Sequence, residues 1–231
     1  MVKKYLFLFL FFLTVFLSGC STKFTAVEII SAGKLEQSPV GSLQSPIIDS
    51  DISLFEALRK DSPPEFRKKQ RLVDVLYYSF DGKIHKGQLV IDERLISDIQ
   101  EVFRVALENR FPIMSVIPIS HKRFFKDGKW NDDEQSMLSN NTSAFNYRKV
   151  TGGKTLSKHA YGFAIDINPV QNPYIKGSIV LPPDAVYDIR KPGTLTYDSV
   201  VVKTFICLGW TWGGNWKSLK DYQHFEKVLP Q

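Results

Sequence analysis

The segment Ser157-Lys158-His159-Ala160-Tyr161-Gly162-Phe163-Ala164-Ile165-Asp166 sets a histidine and a carboxylate seven positions apart. A second histidine follows in Asp221-Tyr222-Gln223-His224-Phe225-Glu226, three residues after another carboxylate. Gly162 allows the chain to turn tightly inside the first segment. With residues 163–167 as a strand, Ala164, Asp166 and Asn168 share one face while Phe163, Ile165 and Ile167 point to the core. Asp166 then faces a cleft, His159 is carried over it by the preceding turn, and Pro169 ends the strand. Two imidazoles and a carboxylate are borderline ligands that zinc accepts, and three of them leave one tetrahedral position for water. His159, Asp166 and His224 are therefore expected to hold one Zn2+ per chain. Zinc lowers the pKa of its water to roughly 7, and Asp221 is the expected base that takes the water proton and passes it to a leaving amine. A Ser, Thr or Cys nucleophile is not expected, because no activated pairing with histidine is visible outside this constellation. His85 and His121 have no neighbouring ligand pattern and are read as ordinary surface or structural residues.

These side chains need a scaffold. Ile52, Leu54, Phe55 and Leu58 suit a short helix that Pro63-Pro64 stops. Residues 71–80 and 83–91 are β-rich runs on either side of Asp81-Gly82, a hairpin signal. Asp92 is placed to cap a helix running to Arg110, in which Leu95, Ile96, Ile99, Val102, Phe103, Ala106 and Leu107 recur at helical spacing. Residues 112–119 read as a buried strand, and 197–208 as an apolar helix ended by Gly209. Strands and helices mix without βαβ alternation. The expected fold class is α+β, a mostly antiparallel central sheet with flanking helices in a single domain.

Outside the chemistry, the ends and the composition set an address. Lys3 and Lys4 precede an apolar run over residues 5–17, shorter than the ~20 residues of a membrane-spanning helix, as in a secretory leader. Leu17-Ser18-Gly19-Cys20 resembles the bacterial lipobox, which implies removal of residues 1–19 and lipidation of Cys20. Residues 20–50, rich in Ser, Gln, Gly and Pro, suit a flexible tether, and 51–231 the single domain that carries the expected zinc site. The expected location is the cell envelope, with the lipid in a membrane and the domain facing the periplasm or the cell exterior. Loss of Lys3 and Lys4 with the leader lowers the formal charge from +6 to +4. That mild excess suits an anionic, carboxylate-rich wall polymer or simple solubility. No basic stripe interleaves with stacking aromatics, so nucleic acid is not an expected partner. The two cysteines of the sequence give no disulfide framework, and Cys207, within Phe205-Ile206-Cys207-Leu208, is expected to pack as a small buried hydrophobe. A monomer is expected.

Taken together, Ser157, His159, Gly162, Ala164 and Asp166, followed by Asp221 and His224, resemble the zinc D-alanyl-D-alanine peptidases, closest to their VanY-like branch. The likeness extends back through Asn140-Asn141-Thr142-Ser143-Ala144-Phe145-Asn146-Tyr147-Arg148 and forward through Asp166-Ile167-Asn168-Pro169 and Asn172-Pro173-Tyr174, covering roughly residues 95–227. The resemblance implies a hedgehog/D,D-peptidase-like fold, His159, Asp166 and His224 as zinc ligands, Asp221 as general base, and peptidoglycan stem peptides as substrate. It also implies an upstream arginine at the oxyanion, for which Arg148 is the match; the alternative is an ion pair with Asp132 or Asp133. A guanidinium fork suits an oxyanion or a substrate carboxylate equally. Ser157 either caps its turn or contacts substrate. In Trp210-Thr211-Trp212-Gly213-Gly214-Asn215-Trp216 core packing is the default, but in the resembling family this segment borders the cleft, which implies one tryptophan, taken as Trp212, on the substrate groove. D-Ala-D-Ala carboxypeptidase action is preferred to L-alanyl-D-glutamate-type endopeptidase action, and a non-catalytic wall-binding lipoprotein is the reading of another class.

Overall fold

In the computed structural model, residues 45–58, 61–126, 129–130 and 132–229 are described. The leader and Cys20 fall outside them. The strands run in the order β1 (Ile47–Ile48), β2 (Gln70–Tyr78), β3 (Ile84–Asp92), β4 (Ser115–Val116), β5 (Phe125–Lys126), β6 (Lys129–Trp130), β7 (Asn141–Thr142), β8 (Ala164–Asp166), β9 (Tyr174–Lys176), β10 (Ile179–Leu181), β11 (Thr211–Trp212), β12 (Lys220–Asp221) and β13 (His224–Glu226). The helices are α1 (Leu54–Ala57), α2 (Pro64–Arg67), α3 (Ile96–Glu108), α4 (Asp132–Leu138) and α5 (Val200–Cys207).

The hairpin forms where the Asp81-Gly82 signal placed it. Gly82 turns at φ +79°, the Asp81 carboxylate accepts from the Lys83 amide at 3.0 Å, and β2 and β3 pair antiparallel from Gln70↔Asp92 to Tyr78↔Ile84. Asp92 caps the next turn through the Arg94 amide, and α3 follows with Ile99, Val102, Phe103 and Ala106 buried. Ser199 starts α5 by accepting from the Val202 amide at 3.3 Å. Val201, Val202 and Phe205 on α5 join the α3 face, the hairpin and Ile165 and Phe225 in one core. Phe205 stacks on Phe225 with ring centroids 4.0 Å apart, which ties α5 to the inner face of the strands that carry the candidate ligands.

The α+β class holds, but the expected central sheet divides. The described strands form three three-stranded sheets, β1-β3-β2, β10-β9-β12 and β11-β13-β8, and two pairs, β4-β7 and β5-β6. Outside the hairpin no described strand exceeds three residues. Prolines are one reason: with Pro112 and Pro118 lacking N–H groups, only Ser115 and Val116 of residues 112–119 enter a ladder, parallel to β7. Packing also begins upstream of Asp51: β1 pairs with β3, and Asp49 receives hydrogen bonds from Tyr77 and from His85. Cys207, expected to be buried, stands exposed at the end of α5. Two residues past Phe205 lies on the opposite side of a helix. No helix among the described residues is long and apolar enough to cross a membrane.

Candidate metal centre

Strand register builds the site. In β13-β8, His224 lies opposite Asp166 and Phe225 opposite Ile165. Because side chains alternate, one face carries Ile165 and Phe225 into the core while the other carries Asp166, His224 and Glu226. Beyond β8, the Asn168 side chain accepts from the Met114 amide at 3.0 Å and donates to Pro112 O at 2.8 Å and Gly193 O at 3.1 Å, fixing the strand end. Asn168, placed with Asp166 by alternation, is thus a structural tie.

His159 arrives on the 3-10 turn Lys158–Tyr161. Ser157 caps that turn, its Oγ accepting from the His159 amide at 3.3 Å, and Gly162 closes it at φ +69°. A Cβ on Gly162 would meet Gln70 Oε1 at 2.1 Å and the Asp92 backbone nitrogen at 2.7 Å, so glycine is required by both conformation and space.

The three expected ligands converge. His159 Nε2 lies 3.2 Å from both His224 Nδ1 and Asp166 Oδ2, and His224 Nδ1 lies 2.9 Å from Asp166 Oδ1. Among the described residues they form the one group of three metal-ligating side chains whose ligand atoms all lie within 4.8 Å of one another, and all three are buried. The remaining ring nitrogens are engaged. His159 Nδ1 is 2.6 Å from Ala144 O, which can only accept, so Nδ1 holds the proton and Nε2 offers its lone pair. His224 Nε2 is 3.2 Å from Glu226 Oε2, which leaves Nδ1 facing the centre. Such outer partners orient metal-bound imidazoles, and the donor set fits a small borderline cation. Ala144 and Glu226 were not singled out from sequence. Glu226 was legible by strand alternation with His224; a backbone carbonyl leaves no sequence signal.

Electrostatics at the centre follow from crowding. Burial alone would raise the Asp166 pKa, but the neighbouring His159 and His224 hold it well below the usual carboxylate range. Burial likewise opposes charge on His224, yet Asp166, Glu226 and Asp221 outweigh it and push His224 up to about 10. Asp221 sits on β12, opposite Tyr174 of β9. A Cβ on Gly213 would meet Asp221 O at 2.5 Å, so that glycine admits the strand. Burial first, then the Asp166 charge, push Asp221 up to about 6, against the pull of His224 and Gln223, and its Oδ1 is buried without a hydrogen bond. A carboxyl poised near neutrality beside a metal-type cluster is suited to proton transfer.

Two expected residues have partners outside the ligand cluster. Arg148 forms an ion pair with Asp133 of α4, Nε to Oδ1 2.9 Å, and Asn146 Nδ2 donates to the same carboxylate. Trp212 is a core residue, 4 % exposed, with Nε1 donating to Tyr222 O at 2.8 Å; the tryptophan against the centre is Trp216, its ring 5.4 Å from that of His224. His85 bridges Asp49 and Asp81, and His121 caps the Arg123 amide, so neither joins the site.

Residues 151–227 match a family model described as D-alanyl-D-alanine carboxypeptidase. A curated relative, the peptidoglycan L-alanyl-D-glutamate endopeptidase CwlK of Bacillus subtilis (strain 168), is 40% identical over 74 residues, 31% of this chain and 40% of that protein. The chain thus spans about two-fifths of the length of that relative. No solved structure matches. The family resemblance stands over the segment that contains His159, Asp166, Asp221 and His224.

Proposed function

We propose that the chain is a zinc metallopeptidase that hydrolyses peptidoglycan stem peptides, acting as a D-alanyl-D-alanine carboxypeptidase with a hedgehog/D,D-peptidase-type fold. The observation that carries this reading is the convergence of His159 Nε2, Asp166 and His224 Nδ1 within 4.8 Å, with Asp221, whose Oδ1 is buried, interacting electrostatically with all three. When bound, zinc supplies Lewis-acid polarisation of the scissile carbonyl and a water acidified to roughly pKa 7.

The chain's own residues do the rest. Ala144 O and Glu226 lock the two imidazole rings in the orientation that turns Nε2 and Nδ1 inward. Asp221 takes a proton from the attacking water onto its carboxylate and returns it to the nitrogen of the leaving amine. Arg148 offers its guanidinium fork to the developing oxyanion or to the substrate carboxylate, a role in which it exchanges the Asp133 carboxylate for substrate. Trp216 stands as a wall beside His224, and Ser157 holds the His159 turn. In this reading the protein works in the cell envelope, held to a membrane by lipid on Cys20. The relative in Bacillus subtilis favours a second reading, cleavage within the stem as an L-alanyl-D-glutamate endopeptidase.

The test is incubation of the purified chain with wall peptides ending in D-Ala-D-Ala, with zinc and separately with chelator, products read by mass spectrometry. Loss of one terminal D-alanine only with zinc is the expected result. An internal cut moves the assignment to the endopeptidase. Zinc binding without cleavage of peptides or intact wall fragments leaves a non-catalytic wall-binding protein.

A further inference from the structure

The geometry points to Tyr174 as a specificity-determining residue, whose phenol O–H donates to the free carboxylate of the leaving amino acid and so selects the end of a stem peptide. This rests on the carboxypeptidase reading above and deepens it. The segment Asn172-Pro173-Tyr174 enters β9 in a fixed position. The buried Asn172 side chain donates from Nδ2 to Ile167 O at 3.1 Å and Gly193 O at 3.0 Å, and its Oδ1 accepts from the Leu195 amide at 2.7 Å. Pro173 O accepts from the Tyr222 amide at 3.3 Å. Tyr174 then lies opposite Leu181 of β10 on one side and Asp221 of β12 on the other. Directly opposed residues of antiparallel strands project to the same face, with Cβ atoms about 4.5–5.5 Å apart, so the phenol stands beside the Asp221 side chain. The residues flanking Asp221 turn the other way by alternation. Lys220 spends Nζ on Gly214 O at 3.0 Å, and Tyr222 stacks on Tyr187 with ring centroids 3.6 Å apart.

That placement decides what the phenol meets. In the proposed reaction Asp221 returns a proton to the leaving nitrogen, which brings that nitrogen within hydrogen-bond reach of its carboxyl. When the leaving group is a terminal amino acid, only the α-carbon separates that nitrogen from the free carboxylate, so the carboxylate also comes to rest beside Asp221. Two carboxylates side by side repel, and the substrate gains from a donor there. Tyr174 supplies one. A tyrosine side chain is longer than an aspartate, so its O–H extends past the Asp221 carboxyl. The residue is partly buried, and among the described residues its Oη has no hydrogen-bond partner. Burial first, then the Asp221 charge, raise the Tyr174 pKa above its ordinary value, so the phenol stays protonated and remains a donor. Leu181, on the other side of Tyr174, brings no polar side chain to compete. An internal bond would set a neutral peptide group here in place of the carboxylate, and a hydrogen bond to a neutral acceptor is roughly half as strong.

The experiment is calorimetric titration of the full, zinc-loaded chain with a wall peptide whose terminal D-Ala-D-Ala amide is replaced by a non-hydrolysable methylene-amine, made both as the free acid and as the C-terminal amide. The native chain is expected to bind the free acid about tenfold or more tighter than the amide, the size of one hydrogen bond to a charged group. Tyr174→Phe keeps the ring and loses the hydroxyl. It is expected to reduce that preference to less than about threefold while leaving the affinity for the amide, the zinc content and the Tm as they were. Equal affinities in the native chain, or no binding of either form, overturn the assignment. A preference that survives Tyr174→Phe hands the carboxylate to another donor and overturns it as well, and equal weakening of both forms reduces Tyr174 to a structural residue. Because the readout is binding, a chain that shows the preference but cuts no peptide loses the peptidase reading alone. One that releases the terminal D-alanine without the preference loses the Tyr174 assignment alone.

Discussion

A carboxylate serves as a base only while ionised, and burial has moved Asp221 to about 6 where an exposed aspartate would sit near its ordinary value of 3.8. A bound dication pulls that value down, so the acid limb of kcat/KM is expected at or below pH 6, with activity lost as pH falls through it. Asp221→Asn is expected to lower kcat by about 10²–10⁴ and to remove that limb. Peptide hydrolysis followed across pH for both proteins checks this, and a variant that keeps both the limb and its rate removes Asp221 from the chemistry. The metal-type centre was legible in sequence because ligand chemistry is carried by residue type, and the one strand period that puts Asp166 on the ligand face also hides Ile165. Arg148 and Trp212 were less legible. Their positions depend on which partner reaches them through space, Asp133 in one case and Tyr222 O in the other, and sequence spacing does not encode either approach.

At the scale of elements, the turn Lys158–Tyr161 and its closing glycine hold His159 in the candidate metal centre. An L-residue in the left-handed region costs about 1–2 kcal/mol, and at position 162 its Cβ also meets the Asp92 backbone nitrogen at 2.7 Å, which cannot swing aside as a side chain can. Gly162→Ala is therefore expected to lower Tm by more than about 4 °C. Asparagine tolerates the left-handed region but brings the same Cβ, so Gly162→Asn is expected to melt low as well. A thermal scan in which asparagine restores the native Tm leaves only backbone conformation and dismisses the steric contact; an unchanged alanine variant dismisses both. The hairpin, the Asp92 cap, α3 and α5 were readable because local signals, turn residues and 3.6-residue periodicity, determine them. The split of the sheet was not. Strands of two or three residues such as β11, β12 and β13 carry too few positions for a period, and their pairing is decided by partners distant in sequence, such as β8 for β13 and β9 for β12.

At the scale of the whole molecule, the proposed anchor sets where the cleft can work. The chain from Cys20 to residue 45 reaches at most roughly 85 Å when fully extended, so a lipid on Cys20 confines the peptidase to wall material within that distance of its membrane. The mature formal charge of +4, after loss of Lys3 and Lys4, adds a weak attraction to a carboxylate-rich polymer that salt screens over about 8–10 Å. Confinement, not charge, is then the stronger source of local concentration. Stable anchoring takes more than one acyl chain, so the proposed lipid on Cys20 is expected to carry at least two. Fractionated cells are expected to hold the native protein in membranes, with an N-terminal peptide whose Cys20 carries a lipid detectable by mass spectrometry. Cys20→Ser is expected to leave the leader uncleaved or to shift the protein to the soluble fraction. Recovery of the native protein in the soluble fraction with Cys20 unmodified overturns the anchor and leaves the proposed peptidase to reach its substrate by diffusion.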